Sequence, residues 1–228
     1  HAIATNLMSM LAADRVIWNS RWNLNSFLRG AARMLGASRG IVDPKVLDDI
    51  AARSEVIWPP VEVPVGEDAR VLHKASKARQ RGLTLVAWPH RWEHDKGPEE
   101  LLAIEVERGE SDHIGWVLLG QRFEHRPDAM SELLGRAGDR VLQAGEAPRV
   151  EYETWLRAAD WVLSTARHEF FGIAVCEALL AGCLPWLPHR LSYPELVPPR
   201  GIGCSPGSPI GDPASLRAEI KTHLQAAT

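Results

Sequence analysis

From residue 83 onward, short uninterrupted apolar runs alternate with segments of helical period. The runs are "LTLVAWP", "GWVLLG", "RVLQAG", "DWVLSTA" and "CLPWLP". Between and after them, residues 98–108, 128–137, 149–159, 171–181 and 213–226 place apolar side chains at helical spacing, the last helix opening on "DP". A strand that is apolar at nearly every position has no solvent face, so helices must cover both faces of its sheet. Alternation of this kind builds a parallel sheet joined by right-handed crossovers. The expected class is therefore α/β. Ligands of such sheets bind beyond the carboxyl ends of the strands, so function is expected in the segments just after each strand.

The region before residue 83 is less regular. A helix over roughly 3–13 leads into the β-rich "DRVIWNS", followed by a helix with Ser20 as N-cap and Trp22, Leu24, Phe27, Leu28, Ala31 and Leu35 near helical spacing. "DPKVLDDIAARS" reads as a helix with Asp43 as N-cap and Pro44 at its first position, and "EVIWPPVEVP" as a strand broken by prolines. Residues 62–82 are polar, with Pro64, Gly66 and a basic run through Lys74, Lys77, Arg79 and Arg81. That shift marks a boundary: 1–62 one domain, 63–82 a linker, 83–228 a second domain. The chain begins at His1 with neither Met nor leader, which suggests a piece whose upstream part is missing.

Composition excludes some classes. A net charge of −3 and a pI near 6.3 rule out a general polycation, so nucleic acid would need a local basic patch. Arg21/Arg29/Arg33 and Lys74/Lys77/Arg79/Arg81 are the candidates, each equally readable as a solvated face or a basic linker. The odd set Cys176, Cys183 and Cys204 lacks metal-type spacing and reads as reduced thiols of a cytoplasmic protein. No apolar run approaches the ~20 residues of a membrane span, so no membrane partner is expected. The nine tryptophans are spread without a repeat, as core and interface filler.

Two strand ends carry chemistry. In "WPHRWEHDKG" (88–97), Arg91 and Lys96 stand in a short loop that opens a helix near Gly97-Pro98. A guanidinium, an ammonium and a helix N-terminus together suit a pyrophosphate; a solvated charged loop has the same composition. His90, Glu93, His94 and Asp95 allow a metal reading, against which Pro89 and Trp92 crowd the turn and no third ligand presents itself. In "STARHEFFGIAVCEALLAGCLP", Gly172 stands where a helix begins, Glu169 just before its first turn and Glu177 more than a turn inside. Such a pair can accept hydrogen bonds from sugar hydroxyls while helix amides hold phosphates. Sugar hydroxyls rather than protein cations would then satisfy both carboxylates. The other reading is a surface glutamate and a charge favoured by the helix dipole. A glycosidase pair would need carboxyls ~5–10 Å apart across a glycosidic bond and has no use for Arg91 and Lys96.

Glu169-Phe170-Phe171-Gly172, then Glu177-Ala178, Gly182-Cys183 and Pro185, resembles the E-G-F-G…E-A…G-x-P signature of retaining GT-B glycosyltransferases of family 4. "LAADRVIWNS", "NSFL", "WPHRWEHDKGPEELL" and "YPEL" are similar to one branch, the glycosyltransferase-like domain-containing proteins that include tRNA-queuosine alpha-mannosyltransferases. The resemblance implies a GT-B fold, with a Rossmann-like C-terminal domain after the tail end of an N-terminal one. It implies a GDP-mannose donor, no metal or other cofactor, retained anomeric configuration and a queuosine-tRNA acceptor. Arg91 and Lys96 would neutralise the diphosphate, Glu169 would hold the transferred sugar and Glu177 the ribose. The Phe171 and Gly172 amides would lie against sugar and phosphate. His168, Phe170 and Ile173 would complete the donor set, with Ser164 flanking it. The Gly-Gly pair of the wider family is absent here: the region reads "HRLSYPEL", matching only its glutamate, as Glu195. A GT-B enzyme also needs a full N-terminal domain for its acceptor and for a histidine near the reacting centre. The resemblance does not assign that role to His1, and the chain alone would be inactive.

Overall fold

The computed structural model describes residues 2–37, 43, 45–123 and 127–227. These fall into two compact units, one ending at Pro60 and the other spanning Val61–Ala227.

In the first unit, α1 (Ala2–Ala12) precedes β1 (Val16–Trp18), α2 (Arg21–Ala37), α3 (Val46–Ala52) and β2 (Ser54–Val56). The two strands pair in parallel, Val16 opposite Ser54. Leu7, Leu35 and Ile50 form one apolar cluster, and Val16, Trp18 and Leu24 another. Ser20 caps α2 as its position predicts, its Oγ accepting from the Asn23 amide at 3.0 Å. Asp43 does not cap α3. That helix starts at Val46 with Lys45 at the cap, and the Asp43 carboxylate accepts from the Lys45 amide at 3.0 Å, closing a local turn one step upstream. Pro44 and His1 lie outside the described residues.

The second unit holds five strands: β3 (Thr84–Pro89), β4 (Ile114–Leu119), β5 (Val141–Gly145), β6 (Trp161–Leu163) and β7 (Leu184–Trp186). All neighbours are parallel, in the order β5-β4-β3-β6-β7. Its helices are α4 (Ala69–Gln80), α5 (Pro98–Ile104), α6 (Asp128–Ala137), α7 (Arg149–Ala158), α8 (Ile173–Leu180), α9 (Tyr193–Leu196) and α10 (Pro213–Ala227). The chain builds outward from β3 to β5, then returns to add β6 and β7 on the other side. With right-handed crossovers, these opposite directions send the helices to opposite faces. Trp88, Trp92, Trp116 and Trp155 are fully buried, which accounts for several of the tryptophans as core.

The structure departs from two of the sequence expectations. Residues 69–80 are not linker but helix α4, capped by Asp68 through the Arg70 and Val71 amides and burying Val71, Ala75 and Ala78. The approach to it is strapped to α7, the Val65 and Gly66 amides donating to Glu153 Oε2 at 3.0 and 2.7 Å. Burial alone would raise the Glu153 carboxyl; those amides and Arg149 outweigh it and hold it below its ordinary range. The helix expected over 98–108 ends at Ile104 and continues as one π turn, Glu105–Gly109. Buried Glu105 accepts from Trp116 Nε1 at 2.6 Å and pairs with Arg140. A Cβ at Gly109 would lie 1.7 Å from its carboxylate oxygen. The turn widens where this buried pair has to be accommodated.

Candidate functional site

Strand order reverses between β3 and β6, so their carboxyl ends bound the crevice where ligands of open parallel sheets settle. Loops 90–97 and 164–172 meet there, held by buried struts. His90 Nε2 lies 2.9 Å from Ser164 Oγ, which lies 2.5 Å from the Tyr193 hydroxyl on α9. Trp88 Nε1 donates to Thr165 Oγ1 at 3.0 Å, and that hydroxyl donates to the Lys96 carbonyl at 2.8 Å. Gly97, at φ +69°, comes so close that a Cβ would stand 2.2 Å from the Thr165 carbonyl oxygen.

Burial, reinforced by the Lys96 charge, pushes His90 down to about 3 from 6.5. It is therefore a neutral strut rather than a proton carrier. The unfolded chain takes up this proton as pH falls below 6.5 while the folded chain does not, so stability declines with acidification. The expected loss from this group is about 2 kcal/mol between pH 7 and pH 5. Denaturant midpoints at both pH values measure it, and a His90→Gln chain should lack this component.

Lys96 is 9% exposed. Its Nζ donates to the His168 carbonyl at 2.8 Å and stands 3.4 Å from Glu169 Oε2 and 3.2 Å from Asp95 Oδ2. The two loops thus bring Lys96 and Glu169 into contact. Arg91 stays at the rim, its side chain 55% exposed and 3.1 Å from Glu93. His168 contributes its backbone to this contact, while the residue itself is exposed. Phe171 is buried, its carbonyl accepting from Ser192 Oγ at 2.8 Å. Gly172 caps α8 at φ +95°, a conformation that favours glycine. Phe170 and Ile173 remain exposed on either side of that cap. Glu195 sits in α9, its carbonyl accepting from His223 Nε2 at 2.7 Å.

Glu177 occupies a neighbouring position. It is 8% exposed and accepts from Arg149 Nη1 and the Tyr152 hydroxyl, both at 2.7 Å. Burial and this bond to Glu177 raise the Tyr152 phenol far above its usual range. Protein cations do satisfy both carboxylates, Lys96 at Glu169 and Arg149 at Glu177, contrary to the expectation of sugar hydroxyls alone. Arg149 and Tyr152 carry no motif in the sequence; their one signal is that "EAPRVEY" directly follows an apolar strand, β5. Tyr152 lines a cleft of about 480 Å³ with Gly120, Gln121, Glu146, Ala147 and Pro148, at the ends of β4 and β5. This cleft adjoins the Lys96 loop: the Trp92 amide donates to the Gln121 carbonyl at 2.9 Å. Among the described residues, no cluster of three or more His, Cys, Asp or Glu is placed to hold a metal ion. His90 faces Ser164, whereas His94 Nδ1 stands 3.0 Å from Glu99.

The fold is of the GT-B glycosyltransferase class. Anabaena HepE in complex with UDP and glucose superposes with TM-score 0.63 at 20% identity, covering 98% of this chain and 62% of that one. Sucrose-phosphate synthase from Thermosynechococcus elongatus gives 0.64 at 20% identity, over 98% and 57%. Residues 1–61 match the family described as tRNA-queuosine alpha-mannosyltransferase N-terminal. The chain is 32% identical over 200 residues to the tRNA-queuosine alpha-mannosyltransferase of Drosophila melanogaster, covering 86% of this chain and 53% of the relative. It thus spans about half that relative's length. Among the described residues, no helix is long and apolar enough to cross a membrane.

Proposed function

We propose that this chain holds the nucleotide-sugar donor of a retaining glycosyltransferase, and that the parent enzyme transfers mannose from GDP-mannose to a queuosine-modified tRNA in the cytoplasm. The observation that carries the reading is the buried Lys96 ammonium against Glu169 at the strand-order reversal. Acidic neighbours hold the cations: Glu93 at Arg91, Asp95 and Glu169 at Lys96. A diphosphate entering at the α8 N-terminus draws both cations onto its oxygens and frees Glu169 to accept from hydroxyls of the transferred sugar. Charge growing on the leaving diphosphate is then met by a guanidinium, an ammonium and helix amides already in position. No metal or other cofactor is part of the reading. Glu177 has about four acceptor sites and uses two on Arg149 and Tyr152, leaving capacity for ribose hydroxyls. The names of the similar proteins support this reading, HepE having been crystallised with UDP and glucose. The free thiols of Cys176, Cys183 and Cys204 suit a reducing compartment.

The base falls in the cleft lined by Gln121 and Glu146. A carboxylate accepts from both N1–H and the exocyclic amine of guanine, a paired donor edge that uracil lacks. Titration calorimetry of the chain with GDP, UDP and ADP tests donor and base together. GDP should bind tightest, and Glu146→Gln should reduce its advantage over UDP about tenfold. A folded chain that binds none of the three excludes the donor reading.

A further inference from the structure

One strongly charged surface has no part in donor binding. His73, Lys74, Lys77 and Arg81 run along one face of α4 and its end, beside Val141 and Leu142 of edge strand β5, and together line a cleft of about 490 Å³. Two of the basic side chains near this end of α4 are neutralised within the fold: Arg79 stands 3.0 Å from Asp160 and Arg81 2.6 Å from Asp139. Lys74 and Lys77 are exposed and have no described acidic partner. In a chain of net charge −3, this leaves a local positive excess over an apolar floor.

We infer that this groove binds the phosphate backbone of an RNA strand. Cations tracking phosphates above a surface that accepts a base face make the combination that grips nucleic acid without reading sequence. The choice of RNA rests on the tRNA acceptor proposed above. Its position adds a constraint. The groove lies toward the amino ends of the strands, whereas the donor crevice lies at their carboxyl ends. The six residues of β3 separate the two levels by about 20 Å at ~3.3 Å per residue. A free nucleoside cannot reach both levels; a folded RNA can. The groove therefore adds affinity for the macromolecule and none for the donor.

Fluorescence anisotropy of the 228-residue chain with a labelled tRNA transcript, between 50 and 200 mM KCl, tests this. Lys74→Glu/Lys77→Glu should weaken RNA binding at least tenfold and lower the log–log salt slope by about 1–2, at ~0.7–0.9 per phosphate contact. GDP affinity should stay unchanged. Lys221→Glu, an exposed charge change on α10, should shift RNA binding less than threefold. Equal RNA affinity and slope in wild type and double variant would overturn the inference, as would tighter binding to phosphatidylglycerol vesicles than to RNA. Loss of GDP binding by the wild-type chain would instead sink the donor reading, leaving the groove's salt dependence to be judged separately.

Discussion

Lys96→Met should lower the affinity of the folded chain for GDP by about 100-fold or more. Methionine keeps most of the length of the side chain and removes the charge. A charge-assisted hydrogen bond contributes about 1.5–3 kcal/mol, and Lys96 is 9% exposed, so water screens little of it. The substitution also leaves Glu169 Oε2 without its ammonium, 3.4 Å away in the wild type. An unpaired carboxylate then faces an incoming diphosphate, and repulsion adds to the lost attraction. Arg91→Ala should cost less, about tenfold, because its side chain is half exposed and partnered only at the rim. Calorimetric titration with GDP, with thermal unfolding as the check on folding, gives both numbers. Equal losses for the two variants would mean that burial of Lys96 is irrelevant to binding.

Gly97→Ala should be strongly destabilising for a single methyl addition. A Cβ there would stand 2.2 Å from the Thr165 carbonyl oxygen and 3.0 Å from its carbon, at φ +69°. Backbone faces backbone, so no side chain can swing aside. Left-handed strain of about 1 kcal/mol and the overlap together suggest about 3 kcal/mol, or roughly a 6–12 °C fall in Tm for a chain of this size. Gly182→Ala supplies the control. Its φ is +105° with nothing within 4 Å of the position a Cβ would take, so only the strain is incurred and Tm should fall by about 2–4 °C. If both variants unfold together, the close approach of the two site loops contributes nothing to stability.

The strands of the larger unit were legible because they are short and largely apolar, only β5 being interrupted, by Gln143. Helix α4 was not, because its buried face is Val71, Ala75 and Ala78, and two alanines among lysines and arginines look like linker. The π turn was hidden for another reason. It depends on Glu105 finding Trp116 and Arg140, partners that only the folded sheet brings near. Among candidate site residues, Lys96, Glu169 and Glu177 stood out by position, but spacing left a solvated loop and a surface glutamate equally open, and only the family resemblance gave them roles. Their counter-ions were legible only in part: Lys96 was named for phosphate rather than for Glu169, and Arg149 lies 28 residues from Glu177. A carboxylate in an apolar helix announces that it has a partner, but not which one.

The proposed seat of the diphosphate sugar is the Lys96–Glu169 contact. Its most direct test is a crystal structure of the chain with GDP-mannose. Diphosphate oxygens should lie on Lys96 Nζ, mannose hydroxyls on Glu169 and ribose beside Glu177. Nucleotide density elsewhere, with Lys96 still paired to Glu169, would contradict it.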